Sequence, residues 1–191
     1  SILYFGTPVV LISTRNPDGT PNLAPMSSAW ALGYSVVLGL GTAAQTYANL
    51  VRERECVLNI PSPCLWRHVE RLAPLTGASP VPESKRGTFR HESRKFEAAG
   101  LTPQTSEVVR PPRVRECPIQ LEAVLTAVHE PAASDTFGIL ETRVEHVHVA
   151  SALLEAGTSH VMAERWSPLL YVFRHYVGAQ THLGKTFRAE R

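Results

Sequence analysis

Two stretches of this chain, 119–128 and 137–149, alternate apolar and polar side chains along their length, the period of strands with one face buried. Between them lies Glu130-Pro131-Ala132-Ala133-Ser134-Asp135, a short run of turn chemistry, so the pair reads as one long antiparallel hairpin. The other strand candidates also come in succession. Residues 8–13 form an apolar, β-branched run that ends in the turn Asn16-Pro17-Asp18-Gly19; 36–40 and 56–60 are further buried runs, the latter stopped by Pro61 and Pro63; 169–173 is the last. Gly39 and Gly41 predict a bulge or a close backbone approach where the 36–40 strand ends. Helical spacing is confined to 43–54, 64–72 and a short piece at 93–99. Strands that follow one another without regular helical crossovers favour an antiparallel barrel with helices packed outside it over a parallel doubly wound sheet.

With 191 residues, 43% of them hydrophobic and 19% charged, the chain is long enough to bury a core as one domain, residues 1–191, and no repeat or linker divides it. A net charge of +2 with scattered arginines argues against a nucleic-acid partner, whose binders gather Lys and Arg on one face. Cys56, Cys64 and Cys117 cannot all pair within one chain and lack zinc-site spacing, which points to a reducing compartment and a cytoplasmic location. No apolar run approaches the length of a membrane span and no signal peptide is supported.

The stretch Asn22-Leu23-Ala24-Pro25-Met26-Ser27-Ser28-Ala29 sets small and hydroxyl residues between two apolar runs, where backbone amides and side chains can donate hydrogen bonds to something bulky. Read alone it is equally a polar turn. About twenty residues later Thr46-Tyr47-Ala48-Asn49-Leu50 opens a short helix, whose first-turn N–H groups and partial positive charge suit an anion. Together they suggest a pocket for a phosphorylated aromatic ligand, although Thr46 also reads simply as a helix cap.

Three other features compete for function. Gly39-Leu40-Gly41-Thr42-Ala43-Ala44 mimics a dinucleotide fingerprint, but the strand that follows ends at Asn59-Ile60-Pro61 without an acidic residue for a ribose. His146 and His148 share one strand face, as a metal would need, yet no third ligand is evident and a solvated face is the plainer reading. Ser27 and Ser28 lack the surroundings of a nucleophile elbow.

Across nearly the whole chain these landmarks resemble the flavin reductase-like family. The likeness is carried by Pro8-Val-Val-Leu-Ile-Ser-Thr14, Asp18-Gly19, Asn22-Leu-Ala-Pro-Met-Ser-Ser28, Thr46-x-x-Asn49 and Glu55-Cys-Val-Leu-Asn-Ile-Pro61. It continues in order through Arg94-Lys-Phe-Glu-Ala-Ala-Gly-Leu-Thr102, Pro111-Pro-Arg-Val-Arg-Glu-Cys-Pro-Ile-Gln-Leu-Glu122 and Pro168-Leu-Leu-Tyr171. The resemblance implies a mainly β, six-stranded Greek-key FMN-binding split barrel with peripheral helices, forming a homodimer with flavin near the subunit interface. It implies that Ala24, Pro25, Met26, Ser27, Ser28 and Ala29 border the isoalloxazine and ribityl chain, and that Thr46 and Asn49 form the phosphate-binding turn.

Two departures from the family pattern matter. The basic residue that often precedes the phosphate-binding Thr is replaced by Ala44 and Gln45, so neutralisation falls to the helix dipole or to an arginine such as Arg94 or Arg15. A Gly-Asp-His segment, whose histidine is associated with nicotinamide in the family's reductases, reads here Ser134-Asp135-Thr136.

The expected activity is therefore that of an FMN-dependent oxidoreductase, with FAD as the alternative cofactor and NAD(P)H as the donor. It would pass electrons to flavin, oxygen or a partner oxygenase. The missing histidine keeps open a tailoring enzyme with its own small organic substrate, or a non-catalytic flavin- or haem-binding barrel. His175 and Tyr176 are the candidates for lining the substrate side or, equally, belong to a packed barrel end. Segment 73–115, rich in Pro, Ser, Thr and Arg and carrying Arg86, Arg90, His91, Arg94 and Lys95, reads as a binding loop or cationic lid, or as a solvated loop with no role.

Overall fold

A computed structural model describes residues 5–129 and 136–178. The strands are β1 (Phe5–Pro8), β2 (Val10–Arg15), β3 (Pro21–Met26), β4 (Ala29–Leu32), β5 (Ser35–Gly41), β6 (Glu55–Ile60), β7 (Leu75–Thr76), β8 (Arg90–His91), β9 (Pro103–Gln104), β10 (Arg113–Val114), β11 (Ile119–His129), β12 (Phe137–Val149), β13 (Leu170–Val172) and β14 (His175–Val177). The helices are α1 (Gln45–Glu53), α2 (Trp66–Leu72) and α3 (Lys95–Ala99).

The principal sheet orders its strands β3-β2-β6-β11-β12-β5-β4, all antiparallel. Its two edges, β3 and β4, are separated in sequence only by Ser27 and Ser28. Three Cα steps of about 3.8 Å cannot cross a flat seven-stranded sheet, so the sheet must curl until its edges meet, which is the geometry of a split barrel. The resemblance implied six strands; the seventh here is β4, paired among the described residues only with β5. Asn22 to Met26, open to reading as a turn, lie instead in β3, where the hairpin through Asn16 and Gly19 places them opposite β2.

The expected long hairpin is β11 with β12, in register from Ile119↔Val149 to His129↔Ile139, broken by bulges near Glu122 and Leu125. Its turn, 130–135, and Gly184 lie outside the described residues. β2 is buried at every position from Val10 to Thr14, since it is flanked by β3 and β6 and covered on both faces. On one side Ile12 joins Val36, Leu38, Leu50, Leu58, Ala123 and Leu140 inside the curl; on the other Leu11 joins Leu23, Val69, Leu72, Phe96 and Val114 beneath α2 and α3.

Segment 73–115 is largely without regular structure, as its composition suggested, but it is anchored into the fold. β7 pairs with β8, β9 pairs with β10, and Phe96, Ala99, Leu101 and Val114 are core residues. Its apolar side chains are too widely spaced to show a period, so the sequence hid them. The end of the chain also holds one more strand than expected. At Phe173 and Arg174, with φ of 46° and 69°, the backbone turns back, and β14 pairs with β13 in a small sheet completed by β1.

Candidate functional site

The site is built where β3 meets α1. Ala44, at the helix start, offers no capping side chain and no acidic residue occupies the first turn, so the first-turn N–H groups are left for another acceptor. Thr46 sits in that turn, buried, and accepts a hydrogen bond from Asn22 Nδ2 of β3 at 3.0 Å. The same Asn22 amide nitrogen donates to Thr14 Oγ1 at 3.1 Å. With its oxygen engaged as an acceptor, the Thr46 hydroxyl keeps its proton for a ligand.

Thr46 lines a cavity of about 200 Å³ together with Ala24, Pro25, Met26, Gly39, Gly41, Gln45, Gly77, Phe89 and two cations, Lys85 and Lys95. Lys95 is 3% exposed and makes no hydrogen bond or ion pair with any described residue. Burial pushes its pKa down to about 8, and the nearby Lys85 charge adds to the effect. A buried cation without a partner is costly, and a negatively charged ligand in this cavity relieves that cost. Gly77 forms part of the wall: a Cβ there would lie 2.7 Å from Asn22 Oδ1 and 3.2 Å from Gln45 Cβ. Gly39 answers the sequence expectation of a close approach, since its N–H donates to the Ser28 carbonyl at 2.8 Å and an added Cβ would meet Ser28 Cβ at 3.2 Å.

A second, wider cavity of about 420 Å³ shares Pro25, Met26, Ala73 and Phe89 with the first and adds Ser27, Ser28, Val69, Tyr171 and Tyr176. The rings of Tyr171 and Tyr176 lie 5.9 Å apart, and Tyr176 Oη donates to Glu70 Oε2 at 3.0 Å. Burial raises the Tyr176 pKa, and its bond to Glu70 adds to this, so the phenol stays protonated. His175 lies beyond it, in a groove it shares with Tyr176, Trp66, Glu70 and Arg174.

Of the residues picked from sequence, Ala24, Pro25, Met26, Thr46, Ser27, Ser28 and Tyr176 therefore each line one or both of these adjacent cavities. Ala29 pairs with Leu38 at the start of β4 and lines neither. Asn49 is enclosed in a network of its own, donating to Thr14 Oγ1 and Asn16 Oδ1 and accepting from Gln45 and Arg52. It braces the site without facing it. Arg94 is exposed, pairs with Glu97 at 3.2 Å and stands outside both cavities. Arg15 is drawn to the Gly19 carbonyl of its hairpin and lines neither cavity. The cations inside are Lys85 and the residue next to Arg94, Lys95, which is turned inward because Phe96 and Ala99 fix the buried face of α3. Lys95 was among the cations read in segment 73–115; Lys85, Phe89 and Gly77 were missed, and only their tertiary placement reveals them.

Residues 2–180 match the family described as flavin reductase like domain. The Bacillus subtilis (strain 168) protein YdfE, itself uncharacterized, is 44% identical over 190 residues, 99% of this chain and 91% of that protein. Among solved structures, flavoredoxin of Desulfovibrio vulgaris (Miyazaki F) superposes with a TM-score of 0.79 at 23% identity, covering 98% of this chain and 94% of the other. Nitrilotriacetate monooxygenase component B from Bacillus cereus superposes at 0.76 and 22% identity, covering 96% and 90%. The chain belongs to the flavin reductase-like family and has its split-barrel fold. It is a flavin oxidoreductase.

Proposed function

We propose that the two adjacent cavities together hold FMN, with its phosphate between the α1 N-terminus, Thr46 and Lys95 and its ring between β3 and the Tyr171–Tyr176 pair. The observation that carries this reading is Lys95, a buried cation with no partner among the described residues, in a narrow cavity that adjoins a wider aromatic one. A phosphate supplies the missing charge, and a planar ring fits between aromatic and apolar walls. The narrow cationic end favours a single terminal phosphate over the dinucleotide tail of FAD. Bound flavin supplies the hydride and one-electron chemistry. The protein holds the phosphate at Lys95 and Thr46, shields the ring with Phe89 and Met26, and keeps the Tyr176 phenol protonated beside it.

In this reading FMN held by Thr46 and Lys95 would supply electron transfer from a nicotinamide donor to oxygen, free flavin or a partner oxygenase. Thr136 in place of a histidine supports a second reading, a flavin-dependent enzyme with its own small organic substrate and a different reductant. The two are separated by recording the absorption spectrum of the FMN-loaded protein anaerobically before and after NADH. Bleaching of the flavin band within the turnover time supports reductase activity; an oxidised spectrum that persists under NADH and NADPH rejects it. A wild type that fails to bind FMN in a fluorescence titration rejects the site itself.

A further inference from the structure

A second constellation lies apart from these cavities. On β12, His146 and His148 stand two residues apart on one face, and the register sets Glu122 opposite His146 and Gln120 opposite His148 on β11, so the four side chains share that face. Glu122 is fully buried and accepts hydrogen bonds from the backbone N–H groups of Glu107 at 2.8 Å, Val108 at 2.6 Å and Val109 at 3.1 Å. That carboxylate fastens the 107–109 segment over the sheet and delivers the Glu107 side chain to the histidines. Glu107 Oε2 lies 3.5 Å from His146 Nε2, Glu107 Oε1 lies 3.9 Å from His148 Nδ1, and one ligand atom from each of the three residues falls within 4.8 Å of the others.

These separations are too long for hydrogen bonds between the imidazoles and Glu107, yet they suit a shared ion. Two ligands at about 2.0–2.1 Å from a tetrahedral metal lie about 3.4 Å apart. The other nitrogen of His148 is already committed: Nε2 is 2.7 Å from Glu122 Oε1. Donation of the Nε2 proton to a buried carboxylate leaves the Nδ1 lone pair facing Glu107, the carboxylate–histidine arrangement that orients an imidazole for a metal.

We propose that Glu107, His146 and His148 form a binding site for one divalent transition-metal ion of the zinc class, with Glu122 as the positioning carboxylate. Two imidazoles and one carboxylate favour zinc, cobalt or nickel over the all-oxygen coordination of magnesium and calcium. The ion ties the 107–109 segment to the β11–β12 hairpin, and three protein ligands leave a fourth position for water or a small anion. The sequence showed two of the three ligands; the third comes from a segment with no metal-ligand spacing to the His146-Val147-His148 motif.

The test uses the full chain, stripped with chelator, and titrates zinc chloride by calorimetry and cobalt chloride by visible absorption. One equivalent of zinc should bind per chain, and cobalt should give the intense bands of tetrahedral coordination. Glu107→Gln and His146→Gln, both at partly exposed positions, should each weaken zinc at least tenfold without changing FMN content, and Glu122→Gln should weaken it about 10- to 100-fold. Zinc should raise the melting temperature of the wild type and leave that of Glu107→Gln unchanged. The proposal is overturned if the wild type shows no saturable one-to-one binding. It is overturned equally if the affinity survives both Glu107→Gln and His146→Gln and falls in Cys64→Ser.

Discussion

The Asn22 side chain donates a hydrogen bond to the Thr46 hydroxyl at 3.0 Å, tying strand β3 to the first turn of helix α1 across 24 residues of sequence. The bond joins the two stretches that border the narrow cavity, and both side chains are buried. Replacing Asn22 by Ala strands the Thr46 hydroxyl and removes one of two donors to Thr14, at a cost of about 1–3 kcal/mol. Denaturant unfolding of Asn22→Ala should show that loss. Thr46→Ala should weaken FMN by roughly ten- to a hundredfold and riboflavin much less. Equal losses for the two ligands would remove Thr46 from the phosphate site.

If the proposed site is right, Lys95 should make FMN binding depend on pH. Its folded-state pKa of about 8 lies below the ordinary lysine value of 10.5. The burial penalty is therefore complete at pH values below about 8, where the lysine is charged both folded and unfolded. Between about 8 and 10.5 the unfolded chain binds more protons than the folded one, so the flavin-free protein gains stability as pH rises through that window. FMN affinity should move the opposite way, because deprotonation removes the charge that the proposed site sets against the phosphate. Titrations at pH 7 and 9 should show FMN weakening in the wild type while riboflavin holds constant. Lys95→Met should bind FMN weakly at both values. An FMN affinity unchanged by pH and by Lys95→Met would place the phosphate elsewhere.

Much of this architecture is written in local pattern. The β11–β12 pair is visible because alternation over a long strand is a strong signal, and Asn16-Pro17-Asp18-Gly19 announces the β2–β3 hairpin through its turn chemistry. Helix α1 begins at Gln45, not near 43, because Thr42 and Ala43 are taken up in the turn that precedes it. Residues 64–72 divide into a 3-10 turn over Pro63–Leu65 and helix α2. What stayed hidden depends on long-range contact. Arg94 and Lys95 look equivalent in sequence, and only the packing of Phe96 and Ala99 decides that the lysine turns inward. Asn49 belongs to a family motif, yet its amide is used up inside the protein.

Gly77 should be intolerant of any side chain. Its Cβ would stand 2.7 Å from Asn22 Oδ1, whose amide is already fixed by its bonds to Thr14 and Thr46. Gly77→Val intrudes further, into the cavity wall, and overpacking of this kind costs about 1–3 kcal/mol. The expected result is a lower melting temperature together with lost FMN binding, read by thermal unfolding and flavin fluorescence. Full FMN affinity in this variant would show that the ligand does not reach this wall.

A homodimer is expected from the free edge. β4 pairs only with β5, and it and the turn that follows expose Trp30, Leu32 and Tyr34 at 60%, 69% and 76%. An unprotected edge with large apolar side chains is a liability that a two-fold interface removes. Light scattering at micromolar concentration should give twice the chain mass, and Trp30→Glu should return it to one chain. A wild type of single-chain mass with flavin bound would overturn the expectation.

Thr136 bears on the electron donor. Its carbonyl accepts from the Thr42 N–H at 2.9 Å and from the Thr42 hydroxyl at 3.2 Å, which pins it beside the end of β5, where Gly41 lines the narrow cavity. A side chain there that can stack and hydrogen-bond would meet a nicotinamide approaching from this end, and threonine offers less of both than histidine. The wild type should therefore bind NADH weakly even with flavin in place, and Thr136→His should strengthen donor binding by several-fold while leaving FMN affinity unchanged. Stopped-flow reduction of bound FMN over a range of NADH concentrations separates the apparent donor affinity from the limiting rate. Fast, tight reduction already present in the wild type and unmoved by the substitution would show that position 136 does not face the donor.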